Sequence, residues 1–320
     1  MVLAIALTGV FNACDKEDPE EGVLFERING FVISSQGAKL LATDNGLYSF
    51  DERSGTYTFV PSAIEHAPLN DLAYSGTDRE GELWLATRTG AYNHTAQFSY
   101  TEENSGLDNN QITHLHFDDH QGAYFAALDG LSILYSGDWT ISRGLDNLYV
   151  RYGITDIASA TNGYTYVTTD GGGIERFKAD VDGISGATIF DTDWTQLESN
   201  HIHTVFIDDT VQVYGTSRGV AMHFSEYTKW DWQIYTTSDG LISDTVVAVV
   251  KDNSDRWWFG TPRGVSTFDG SGWTNYAAET DDPAGNRIMF LALDSDGSVW
   301  SASDEGLSQF IDDRWVSYPK

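Results

Sequence analysis

One cysteine stands in the 320-residue chain, so no disulfide can form within it. Only 18 Lys and Arg oppose 48 Asp and Glu, a formal net charge of -30, and no basic run relieves it. That excludes a nucleic-acid partner, whose phosphates would be repelled. It also opposes direct docking on anionic lipid headgroups, while favouring solubility. No segment approaches the ~20 apolar residues of a spanning helix, and helical periodicity is nowhere sustained. A nucleophile elbow, a zinc-protease helix, a phosphate loop and a Cys pair are all missing, so no cofactor is expected. With just 6 Pro but 31 Gly, 41% hydrophobic and 13% aromatic residues, the chain reads as a turn-rich all-β protein with enough apolar material for a core.

At the N-terminus an apolar stretch, Val2 to Phe11, is followed by Asn12-Ala13-Cys14 and the acidic run Asp15 to Glu21. The pattern resembles a bacterial lipoprotein signal, in which the cysteine is lipidated. Phe11 stands where Leu is usual, and no Lys or Arg precedes the apolar stretch. The expectation is a signal segment at 1–14, lipidation at Cys14 and an acidic linker at 15–28. That places an anchored chain at the outer membrane or in the periplasm, with the cell surface as a further option. The other reading is a short N-terminal membrane segment or a poorly ordered tail.

A unit of about 43 residues then repeats seven times. Its clearest mark is a Thr or Ser, a tight turn, Gly and an apolar residue. Examples are Thr43-Asp44-Asn45-Gly46-Leu47, Thr87-Arg88-Thr89-Gly90-Ala91, Thr216-Ser217-Arg218-Gly219-Val220, Thr261-Pro262-Arg263-Gly264-Val265 and Ser303-Asp304-Glu305-Gly306-Leu307. Upstream lies an apolar strand and an acidic turn. Downstream comes a strand opening on Trp139, Trp194, Trp232, Trp273 or Trp315. Each unit therefore reads as strands a, b, c and d, with Gly supplying positive φ in the b–c turn and Thr bonding locally. Four antiparallel strands per unit and seven units predict a single seven-bladed β-propeller over 29–320, with the Trp and Tyr rings filling the space between blades. Blades are expected at 29–60, 61–103, 104–143, 144–198, 199–236, 237–277 and 278–320. How the ring closes is left open.

The segment GLISDTVVAVVKDNSDRWWFGTPRGVSTFDGSGWTNY, Gly240 to Tyr276, resembles the two-component regulator propeller repeat, and SGLDNNQITHLHFDDHQGAYFAALDGL is a second match. Asp244 replaces the usual Asn in blade 6, and blade 3 lacks the Thr before its Gly. The resemblance implies a periplasmic sensor propeller of the kind found in hybrid histidine kinases linked to polysaccharide use, or a stand-alone lipoprotein relative. No kinase segment or linking β-sandwich follows the repeats within these residues. The expectation is a sensing or binding scaffold rather than an enzyme acting on ATP.

Strand alternation puts the b–c turns and d–a loops on one face. The b–c turns carry Arg88, Arg218 and Arg263 beside Asn45, Asp129, Asp170 and Asp304-Glu305. Three arginines at equivalent turns could fork onto a carboxylate or sulfate, or pair with acids of the next blade. The d–a loops add Tyr149, Arg151, His201 and Arg287, and loop 144–152 is the most ligand-like. Such groups suit a glycan; ordinary blade packing is the alternative. His114-Leu115-His116 and His201-Ile202-His203 put two imidazoles on one strand face, but no repeat supplies a third zinc ligand. Asp294-Ser295-Asp296-Gly297 reads as a hairpin turn, and Asn93-His94-Thr95 as a loop. The expected function is a monomeric, non-catalytic envelope propeller that binds a glycan or a protein partner. A polysaccharide lyase or glycosidase on the same rim and a pure interaction scaffold are the alternatives.

Overall fold

The computed structural model describes residues 25–64, 66–76, 81–208, 210–224, 231–277, 285 and 287–320. Cys14, the signal segment 1–14 and most of the linker 15–28 lie outside the described residues. Seven four-stranded antiparallel sheets follow one another at 28–59, 69–100, 112–142, 154–190, 202–235, 248–276 and 288–319. Strand a of each sheet packs against strand a of the next, so the seven inner strands surround the axis. The chain is a seven-bladed β-propeller.

The middle strands explain why the sheets must form a ring. Strand b of blade 2 (Leu83–Thr87), of blade 5 (Gln212–Thr216) and of blade 7 (Val299–Ser303) is buried at every residue. A blade has a neighbour on both faces, so these strands read as apolar or small throughout rather than alternating. The core accordingly divides into clusters shared by adjacent blades. In one, Trp258 and Val265 of blade 6 meet Ile288, Val299, Phe310 and Trp315 of blade 7.

The Thr–Gly turn has a mechanical role. The Thr261 hydroxyl donates to the Gly264 carbonyl at 2.9 Å and accepts the Arg263 N–H at 3.1 Å. Thr43, Thr87, Thr169 and Thr216 make the same donation in their own turns. Gly264 has φ +121°, and a Cβ there would stand 2.1 Å from the Tyr276 carbonyl oxygen of strand d, so only glycine fits. Blade 3 has Ala127 in the threonine position; there Arg143 reaches in and donates to the Asp129 carbonyl at 3.0 Å.

Much of the acidic charge in the a–b hairpins is structural. Asp252 accepts the Ser254 and Arg256 N–H groups with one oxygen, and Arg256 Nε and Trp258 Nε1 with the other. Burial opposes ionisation of Asp208, but Lys251 at 2.7 Å and the donors of its own turn outweigh it and hold the carboxyl at about 2.

Among the described residues no strand is exchanged where the ring closes: blades 1 and 7 are each built from four consecutive strands. Tyr57 of blade 1 donates its hydroxyl to the Tyr318 carbonyl at 2.6 Å and accepts the Leu307 N–H at 2.9 Å. Burial pushes this phenol up to about 12. Buried Lys39 pairs with Asp294 of blade 7 at 2.8 Å and with Glu52 at 2.7 Å. Phe25 packs its ring at a tilt against Tyr48 and edge-to-face against Tyr57 beside the seam.

One aromatic expectation fails. Trp139, Trp232, Trp273 and Trp315 pack between blades, but Trp194 is 66% exposed. Blade 4 has longer outer strands, Ile174–Asp180 and Gly183–Phe190, and strand d ends before Trp194 is reached. Phe190 takes the inter-blade place instead.

Candidate functional site

The b–c turns and d–a loops are stitched into one rim by the backbone. Gly171 and Gly173 both donate to the Asn200 carbonyl at 3.0 Å, Ser217 to His201 at 3.1 Å, and Val246 to Thr216 at 3.0 Å. Arg88, Arg218 and Arg263 occupy equivalent turns of blades 2, 5 and 6, and all three are exposed. Arg287 is exposed immediately before strand a of blade 7. Among the described residues none of these four guanidinium groups forms an ion pair. Arg218, Arg263 and Arg287 thus follow one another around blades 5 to 7. The b–c turns of blades 1, 3, 4 and 7 carry Asp44, Asp129, Asp170 and Asp304-Glu305 instead.

The remaining candidate residues are placed differently. His201 and Asp170 are both exposed and paired at 2.7 Å across blades 4 and 5. Asn45 is half-buried and bonds His66 at 3.2 Å and Tyr48 at 3.2 Å. Arg151 is exposed on a one-turn helix, Leu148–Tyr152, with its guanidinium 5.9 Å from the Tyr152 ring. Tyr149 of the same helix is fully buried between blades 3 and 4. Burial, with the neighbouring Glu175 charge second, pushes its phenol well up. Glu175, itself buried and raised by that burial, accepts the Leu145 N–H at 3.3 Å. Tyr149 and Glu175 therefore anchor loop 144–152 from beneath, and the loop displays Leu145, Val150, Arg151 and Tyr152. The glycine run 171–173 makes room for it: a Cβ on Gly172 would stand 2.5 Å from Leu148 and Tyr152 side-chain atoms.

Inside the rim lies an axial cavity of about 390 Å³ lined by the inner strands. Its floor plan comes from a bulge. Pairing with strand b slips between the first and third residues of strand a in six blades, as between Ile28 and Gly30, Leu69 and Asp71, and Ile154 and Asp156. The slip lets consecutive residues face the axis. Second-position side chains reach the next blade: Asn29 donates to the Leu69 carbonyl at 2.8 Å, Asn70 to Ile112 at 2.6 Å and Thr155 to Ile202 at 2.7 Å. Third-position carboxylates do the same. Asp71 accepts the Leu115 N–H at 3.0 Å, and Asp156 accepts the Val205 N–H at 2.9 Å and the Thr204 hydroxyl at 3.0 Å. Burial pushes Asp71 up to about 7 and Asp156 up to about 6. His114 and His116 line the same cavity, and burial pushes both down to about 4. His203 is also a lining residue, 2.9 Å from the Ser217 hydroxyl. The two His-x-His pairs thus behave differently, the first lying wholly at the axis and the second divided between rim and axis. Among the described residues no group of three His, Cys, Asp or Glu is arranged to hold a metal ion.

The axial carboxylates escape a reading based on turns and loops. Their only sequence signal is a polar pair at the second and third residues of an inner strand, Asn70-Asp71 and Thr155-Asp156.

Comparison with protein-family models finds no match, and no curated protein matches either. Solved structures do. The extracellular domain of a hybrid two-component system from B. thetaiotaomicron superposes with a TM-score of 0.74 at 18% identity, over 91% of this chain and 40% of that one. A second such domain from the same organism gives 0.66 at 16% identity, over 90% and 38%. The WD40 propeller domain of Doa1 gives 0.60 at 14% identity, over 91% and 95%. At these identities the likeness shows the fold alone. The chain spans about two fifths of the length of the two sensor structures.

Proposed function

We propose that this chain is a ligand-binding propeller of the cell envelope, and that its rim takes an acidic glycan. The observation that carries the reading is the exposed series Arg218, Arg263 and Arg287 on successive blades, with Arg88 across the ring, in a chain of net charge -30. A guanidinium presents a planar fork that matches a uronate carboxylate or a sulfate. Placing four of them without carboxylate partners among the described residues, amid so many acids, favours an anion supplied from outside. The likeness to extracellular sensor domains supports an envelope location, and a lipid anchor at Cys14 would hold the ring there.

A glycan array tests this on the purified chain and on an Arg88→Ala, Arg218→Ala, Arg263→Ala variant. Uronate- or sulfate-bearing glycans should bind the unaltered chain, and the triple variant should lose at least tenfold in affinity. Equal binding by both would remove the rim from the reading.

A protein partner is the second reading. It is favoured by Leu128, Leu145, Val150 and Tyr152, exposed at 58, 40, 48 and 36% in the b–c turn of blade 3 and in loop 144–152. Val150→Asp should abolish capture of such a partner while leaving glycan binding intact.

A further inference from the structure

The axial cavity is two-sided. On blades 2 to 5 the inner strands offer Asp71, His114, Asp156 and His203. On blades 6 and 7 they offer Val247, Met289 and Phe290. No arginine or lysine lines it. At about 390 Å³ it falls within the size range of small-molecule pockets.

The polar wall is only partly used by the fold. Each Asp71 oxygen accepts one backbone N–H, from Leu72 at 2.8 Å and from Leu115 at 3.0 Å. A carboxylate oxygen has two lone pairs, so one remains on each. Asp156 Oδ1 likewise accepts only the Ile157 N–H, at 2.8 Å. His114 uses Nδ1 toward Thr113 at 3.1 Å, and His203 uses Nε2 toward Ser217, which leaves one ring nitrogen on each. Hydrogen bonds within and between the blades therefore use only part of the capacity of this wall. The rest is dominated by acceptors, and it faces an aromatic and aliphatic wall. Both carboxyls are raised by burial with no cationic side chain beside them in the cavity, the condition that an added positive charge would reverse.

We infer that the axial cavity binds a small primary amine with an apolar body, its ammonium group donating to Asp71 and Asp156 and its body lying against Phe290 and Met289. An ammonium supplies three donors and one positive charge, matching an acceptor-rich wall without cations. An aromatic ring opposite adds to the attraction for a cation and covers the ligand's apolar part. The net negative charge of the whole chain would raise the local concentration of such a ligand. The inference stands apart from the rim reading, which concerns anions and different residues.

Titration of the full chain with benzylamine at pH 7.5, followed by ligand-observed NMR, tests it, with benzyl alcohol as the uncharged analogue. Saturable benzylamine binding is expected, with benzyl alcohol at least tenfold weaker. Val247→Phe fills the cavity without touching the carboxylates and should weaken benzylamine at least tenfold. So should Asp71→Asn with Asp156→Asn; if that pair fails to fold, Val247→Phe and the uncharged analogue carry the test. The rim variant at Arg88, Arg218 and Arg263 should bind benzylamine unchanged, so failure of either site is seen separately. No saturation below 20 mM (on the order of the weakest useful small-ligand affinity), equal binding of the two probes, or full affinity in Val247→Phe would each overturn the inference.

Discussion

Blades 4 and 6 are built on the same four-strand plan and solve different problems. Blade 6 keeps the repeat throughout: a Thr261–Gly264 turn, a short strand d at Trp273–Tyr276, and Trp258 buried against blade 7. Blade 4 keeps Thr169 but widens the turn with Gly171-Gly172-Gly173, lengthens strands c and d, and accepts the helix 148–152 over its turn. What both retain is the antiparallel a–b–c–d order, although strand a of blade 6 is shortened to Ala248–Lys251 and lacks the slip. What differs is the outer strand and the loop on the rim. Variation is tolerated where backbone groups reach solvent, and excluded where a blade is pressed between two others.

The strongest way to break this comparison is to remove one tryptophan from each. Trp258→Ala, at a fully buried site, should cost about 3–5 kcal/mol in denaturant unfolding. Trp194→Ala, at an exposed one, should stay within about 0.5 kcal/mol. Similar losses would mean that the two blades share a packing plan after all.

The turn glycines give a smaller contrast. Gly264→Ala forces a Cβ against a carbonyl oxygen at positive φ and should cost about 3 kcal/mol. Gly172→Ala meets the Leu148 and Tyr152 side chains, which can shift, and the Thr169 hydroxyl at 3.0 Å, and should cost about 1 kcal/mol. The second change should also raise proteolytic nicking in loop 144–152, which the first should not.

Thr261→Val removes a hydroxyl that serves two turn groups and should cost about 1–2 kcal/mol. Thermal melting resolves it.

The smallest effect concerns pH at the axis. Asp71 and Asp156 are raised from the ordinary carboxyl value, so the folded state holds more protons than the unfolded one between about pH 4 and pH 7; their contribution falls as pH rises. His114 and His116 are lowered to about 4, so the unfolded state holds more protons between there and the ordinary imidazole value; their contribution rises with pH. The two trends oppose, and melting temperature should change little from pH 4.5 to 6.5. His114→Asn with His116→Asn removes the two largest imidazole contributions, leaving the smaller ones of His203 and His94, which burial also lowers, and the melting temperature should then fall across that window. An unchanged profile would show that these imidazoles are not desolvated.

Much of this was legible in the residues themselves. A period of about 43 residues and the recurring Thr- or Ser-to-Gly turns specify seven blades, because the turn chemistry is local and returns at each repeat even where blade 3 replaces the Thr. The exposure of Arg88, Arg218 and Arg263 follows from their places in b–c turns, whereas Asn45 in the matching turn of blade 1 is half-buried by its bonds to His66 and Tyr48. The burial of Tyr149 and the exposure of Trp194 were not legible, since added residues in blade 4 shifted Trp194 into solvent, and the one-turn helix 148–152 turns Tyr149 into the cluster between blades 3 and 4.

The axial cavity and the closing seam were decided only in three dimensions. Asp71, His114, Asp156 and Phe290 lie far apart along the chain and meet because the ring returns to its start. A one-residue bulge, which leaves no mark on an alternating pattern, chooses which side chains face the axis. Local turn chemistry is written in each repeat. The meeting of seven inner strands is a property of the closed ring.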